Sequence, residues 1–166
     1  MAAWIVLTFL ISGDLTVSQP TPFNHIRSEE RRVRDLVATG YTRSTMFRSL
    51  ADAVEGSPCI VYLATVVKLP QGRTGALLHV AVGRPELPIL RVLLKANLST
   101  EEAIATIGHE LQHVIEVSTG VPARGGIDFA AGVDPSDRRS DMYQFETEAA
   151  IAAAGRIREE LRRTRP

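Results

Sequence analysis

Between Ser99 and Val117 the sequence STEEAIATIGHELQHVIEV makes two demands on one helix. Ser99 with Glu102 three residues on forms a capping box, which starts the helix. Ile104, Ile107, Leu111 and Val114 then recur at spacings of three and four, a stripe that has to be buried. His109 and His113 fall four residues apart on another face, roughly 6 Å along the axis at about 1.5 Å per residue. Their neighbours Ile107, Gly108, Leu111, Gln112 and Val114 are uncharged, as a semi-buried helix requires. A fold that houses this helix must cover one side with core and bring polar groups to the other.

The rest of the chain supplies an α+β frame. SEERRVRDLVATG, from Ser28, has acids in its first turn and Gly40 where a helix would stop, with Val33, Leu36 and Val37 at helical spacing. STMFRSLADAVEGS predicts a second helix, capped by Ser44, stopped by Gly56, with Phe47, Leu50 and Val54 on one face. Then the period changes. Cys59 to Val67, Gly75 to Val82 and Pro88 to Ala96 are short aliphatic or β-branched runs separated by the turn-rich LPQGRTG and GRPEL. They predict a small three-stranded sheet with hairpin-length connections, whose third strand offers an edge to an extended peptide. After the histidine helix comes a long Gly-rich stretch from Ser118 to Asp141, placed as the wall of a cleft. From Asp141 onward DMYQFETEAAIAAAGRIREELRRTRP predicts a terminal helix, its arginines near the C-terminus favouring the helix dipole.

At 166 residues the chain suits one domain. Lys+Arg and Asp+Glu both total 19, so there is no basic excess of the kind nucleic-acid binders carry, and no nucleic-acid partner is expected. The single cysteine, Cys59, excludes an intrachain disulfide and reads as a buried, inert thiol. The apolar run Ala2 to Ile11 is too short to span a bilayer, which takes roughly 20 residues. With Thr16 and Ser18 ahead of Gln19, it predicts a cleaved secretory signal over 1–18, although no basic residue precedes it. The expectation is a single secreted or periplasmic domain over 19–166, with no stable membrane span.

Two imidazoles one helical turn apart can close on one zinc at about 2.0–2.1 Å each, and Glu110 between them is placed to take a proton from a metal-held water. A catalytic zinc usually has three protein ligands. The candidates for the third are Glu116, Asp128, Asp134, Glu146 and Glu148. On the terminal helix the stripe Ala150, Ala153, Ile157, Leu161 extends backward onto Glu146, a carboxylate on the inward face that needs a partner there. Glu146 is therefore preferred. Glu148 falls with the more exposed Ala152, Gly155 and Glu159. Glu116, one turn beyond His113, is the alternative ligand or else the group that orients an imidazole.

HELQH followed by ETEAA, Glu146 to Ala150, resembles the gluzincin group of zinc metallopeptidases, whose second motif is a helical Glu followed three residues on by a small residue. The element order resembles minimal zincin-like domains: N-terminal helices, small sheet, metal helix, ligand-bearing helix. The signal-like start, HELQHVIEV and FETEAA also resemble small, predicted-secreted bacterial proteins of unassigned function. The resemblance implies His109, His113 and Glu146 as ligands of one Zn2+ per chain, Glu110 as general base, and a peptide or protein substrate. A different zinc-protease class places glycine at 116 and histidine at 119, where this chain has Glu116 and Thr119. Many gluzincins carry Asp or Asn where this chain has Ala150, which leaves Glu116 to support a histidine or the site weaker. Tyr143, a turn before Glu146, is a conceivable oxyanion donor. The rival readings are a catalytically silent zincin-like secreted binding or structural protein, and a metal-free helix bundle. Intact Glu110 weighs against the first.

Overall fold

The apolar runs do form strands, but their order in space differs from their order in the chain. The computed structural model describes residues 23–69, 73–80, 88–120 and 146–164. The signal expected over 1–18 is therefore outside the described residues, as are Asp128, Asp134, Tyr143 and nearly all of the Gly-rich stretch. β1 (Ile26–Arg27) is followed by α1 (Arg31–Arg43), α2 (Thr45–Glu55), β2 (Ile60–Val66), β3 (Gly75–Val80), β4 (Ile89–Lys95), α3 (Thr100–Ser118) and α4 (Glu148–Arg163). The sheet order is β1-β2-β4-β3.

Three strands were expected, and a fourth joins them. β1 is two residues long and pairs parallel to β2, its lead-in held by the Glu55 carboxylate, which accepts from the backbone N–H groups of Asn24, His25 and Ile26 at 2.9 Å each. β4 inserts between β2 and β3, parallel to the first and antiparallel to the second. The expected free edge on the third run is thus corrected: β4 is paired on both sides, and β3 is paired on one side only among the described residues. Strand order is a non-local choice. β4 carries Leu90, Val92 and Leu94 on one face, all buried, and the middle of the sheet is where such a strand is covered most fully.

Val61 and Leu63 of β2 and Leu77 of β3 join those residues against the helices. α2 follows the sequence closely: the Ser44 hydroxyl accepts from Phe47 N–H at 3.0 Å, and Gly56 ends the helix. α1 does not. It begins at Arg31 rather than in SEE, and Glu30 accepts from the backbone and hydroxyl of Thr65 instead, tying α1 to β2. Gly40, expected as the stop, lies inside α1, where a Cβ would sit 2.8 Å from Ile104 and 2.9 Å from Phe47. Its role is close approach of helices rather than termination.

The far end of α4 is locked to the α1–α2 junction from both sides. Glu160 accepts from the Ser44 hydroxyl (2.7 Å) and Met46 N–H (3.0 Å), while Arg43 donates to the Leu161 carbonyl (2.8 Å). One acid caps the start of α2 and one base caps the end of α4. Cys59 is buried as expected, and burial pushes its thiol up, away from thiolate chemistry.

Candidate metal centre

α3 forms where its sequence predicts. Ser99 accepts from Glu102 N–H at 3.3 Å, and Ile104, Ile107, Leu111 and Val114 are fully buried. The Glu102 side chain turns to α4, where Arg158 donates to both its oxygens at 2.9 to 3.2 Å. Gly108, just before His109, is the contact point of the two helices: a Cβ there would overlap Ile157 Cδ1. The missing side chain lets α4 come close enough to share a site with α3.

His109 and His113 project together, their Nε2 atoms 3.1 Å apart and their rings nearly perpendicular at 84°. Two nitrogens bound to one tetrahedral zinc lie about 3.3 Å apart, so the spacing fits a shared ion. His113 Nδ1 faces the Glu116 carboxylate at 2.9 Å. A carboxylate accepts, so Nδ1 carries the proton and Nε2 keeps its lone pair for the centre. Glu116 is itself fixed by Gln112 Nε2 (3.1 Å) and by the Thr147 hydroxyl (2.8 Å). It lies behind His113 and outside the donor cluster, in the supporting position that its spacing offers. His109 is held below the ordinary imidazole range by burial and by His113, against the pull of Glu146 and a backbone hydrogen bond at Ala150. Burial thus favours the neutral form of His109, the form that can donate a lone pair to a cation.

The third donor is Glu146, with Oε2 3.3 Å from His109 Nε2. One ligand atom from each of His109, His113 and Glu146 lies within 4.8 Å of the others, a set able to hold a divalent cation. The reason given by the sequence for Glu146 requires correction. It is not on the inward face of α4, because α4 starts at Glu148 and Glu146 precedes the cap. Thr147 is extended, and its hydroxyl accepts from Ala150 N–H at 3.1 Å. The Glu146 side chain is 62% exposed, so no burial penalty drives it. It is aimed at the histidines because the residue behind it caps α4 and bonds Glu116 at once. Thr147 was missed in the sequence, although a threonine ahead of EAA is an N-cap signal. Glu148 is exposed in the first turn of α4, as expected.

Glu110 is the buried member of the site at 6% exposure. Its carboxyl leans on the start of β3, where a Cβ on Gly75 would overlap Oε1. Burial first, then the charge of Glu146, pushes its pKa up to about 8, with Arg73 opposing. A cleft of about 350 Å³ opens over these groups. Its lining includes Thr74 and Gly75 at the start of β3, His109 and Glu110 of α3, Glu146, then Ile151 and Ala154 of α4, and two arginines, Arg73 and Arg158. Arg73, Gly75 and Arg158 carry no motif signal and depend on tertiary placement.

The result is an α+β fold in which His109-Glu110-x-x-His113 and a distal Glu146 form a triad consistent with a zincin-like, gluzincin-type metal site. Among the described residues no helix is long and apolar enough to cross a membrane. No family model, curated protein or solved structure matches the chain.

Proposed function

We propose that the chain is an exported zinc metallopeptidase holding one zinc through His109, His113 and Glu146, with Glu110 as general base. The observation that carries this reading is the convergence of three metal-type donors, two of which, His109 and Glu146, line one cleft with the buried Glu110 carboxyl. The export half rests on the sequence of residues 1–18 alone.

A divalent ion held there would supply Lewis acidity, acidifying a water molecule and polarising a carbonyl. The protein groups do the rest. Glu116 keeps the His113 lone pair turned inward, and Thr147 keeps Glu116 in place. Glu110 takes the proton of the attacking water on a carboxylate oxygen and passes it to the leaving amine. Its burial suits a base, since a carboxyl with a raised pKa binds a proton more readily. A cation in the site favours its charged form and prepares it to accept. Among the described residues β3 is paired on one side only, which leaves backbone donors and acceptors for an extended peptide, and exposed Ile151 adds an apolar side chain to the cleft lining.

The test is zinc content together with cleavage of a mixed peptide pool, followed by mass spectrometry. Parent protein with one zinc per chain should cut peptides, a chelator should stop it, and Glu110→Gln should lower the rate by about 10²–10⁴ while keeping the zinc. Zinc without cleavage of any peptide would sink the enzymatic reading and leave a metal-holding binding protein.

A further inference from the structure

Two arginines flank the cleft, and they are not equivalent. Arg158 is committed to α3, with Nε and Nη2 occupied by both oxygens of Glu102. Arg73 lies two residues before Gly75, the point where β3 touches Glu110; its charge reaches Glu110, but it makes no hydrogen bond or ion pair among the described residues. A charge count then separates them. With a divalent ion present, Glu110 and Glu146 offset its two charges and Glu102 offsets Arg158. Arg73 is the cation left over, half-buried and on the wall beside the metal donors.

We infer that Arg73 is a specificity-determining residue that reads a peptide carboxylate next to the bond to be cut. The substrate class is then peptides bearing an acidic side chain, or a free C-terminal carboxylate, beside the scissile bond. A guanidinium suits this role because its planar fork meets a carboxylate with two parallel hydrogen bonds. The term "scissile" rests on the peptidase reading above, whereas recognition of the carboxylate does not.

The experiment separates the two. Zinc-loaded Glu110→Gln protein, which has no base and no carboxylate to be perturbed by Arg73, is titrated calorimetrically with peptides differing only in Glu or Gln at one position. Each peptide is made with a free and with an amidated C-terminus. The Glu peptide should bind about 3- to 10-fold tighter. The gap should vanish in Arg73→Ala, persist in part in Arg73→Lys, and narrow as salt rises from about 0.05 to about 0.5 M. A preference carried by the free over the amidated terminus assigns the carboxylate to the chain end, one carried by Glu over Gln to a side chain. Equal binding of all four peptides, or a gap unchanged by Arg73→Ala, overturns the inference. If the parent cuts no peptide yet the Arg73-dependent gap appears, the peptidase reading fails and the carboxylate site stands.

Discussion

The two halves of the donor set are built in opposite ways. His109 and His113 come from inside α3, on a turn flanked by fully buried residues, and their relative position follows from helix pitch alone. Glu146 comes from an extended residue ahead of α4, mostly exposed, with nothing regular holding it. Its position follows from what surrounds it: the Thr147 cap, the Thr147–Glu116 bond, and the close seating of α4 on Gly108. A donor inside a helix is set locally, and a donor outside one is set by docking.

The largest test of that contrast is metal content. His113→Ala should bring zinc per chain to near zero, while Glu146→Ala should retain weakened binding by the imidazole pair. Equal loss in both would mean that the carboxylate is as indispensable as the local pair. Next is the docking surface itself. Gly108→Ala should cost about 1–3 kcal/mol in denaturant unfolding, because the new methyl meets Ile157, and adding Ile157→Val should recover part of it. No loss would show that α4 seats further away than the structure has it.

Thr147→Val keeps the shape and removes the hydroxyl. It should cost about 1 kcal/mol for the lost cap and also weaken zinc binding, since both Glu146 and Glu116 lose their restraint. A stability loss with unchanged zinc affinity would confine Thr147 to helix capping. A separate test is the pH dependence of the metal-free protein. The folded chain holds a proton on Glu110 up to about pH 8, whereas the unfolded chain releases it near the ordinary value of 4.5. That contribution is complete below 4.5 and is lost as pH rises toward 8. Glu110→Gln should therefore gain thermal stability relative to the parent as pH rises from 4.5 to about 8, the window set by those two values. The pH response of His109 is common to both proteins and drops out. A difference in Tm that does not change with pH would contradict the buried protonated state.

The same contrast explains what could be read in the sequence. The stripes of α2, α3 and α4 and the Ser44 and Ser99 caps are local, and they stand where the spacing predicts. The histidine pair is legible for the same reason. β1 leaves no pattern in two residues, and the insertion of β4 between β2 and β3 depends on which faces are covered. Gly40 shows that a glycine read as a stop can be a contact, a distinction made only by Ile104 and Phe47 arriving from elsewhere. Glu146 was singled out by running a helical stripe back past the true helix start. The residue does meet His109, but through capping and docking.

The double latch between Glu160, Arg43 and the start of α2 has a consequence for the order of events during synthesis. The growing chain delivers α3 before α4, so a nascent protein carries the imidazole pair before Glu146 exists. Glu146 stands just ahead of α4, whose distant end is fastened to a junction laid down more than a hundred residues earlier, the Arg43 to Leu161 bond spanning 118 positions. Before α4 docks, a metal ion would meet an open two-point site, from which it can exchange freely. Docking of α4 would add the third donor, so tight retention of a metal, as distinct from weak binding by the imidazole pair, should report that α4 has seated on α3.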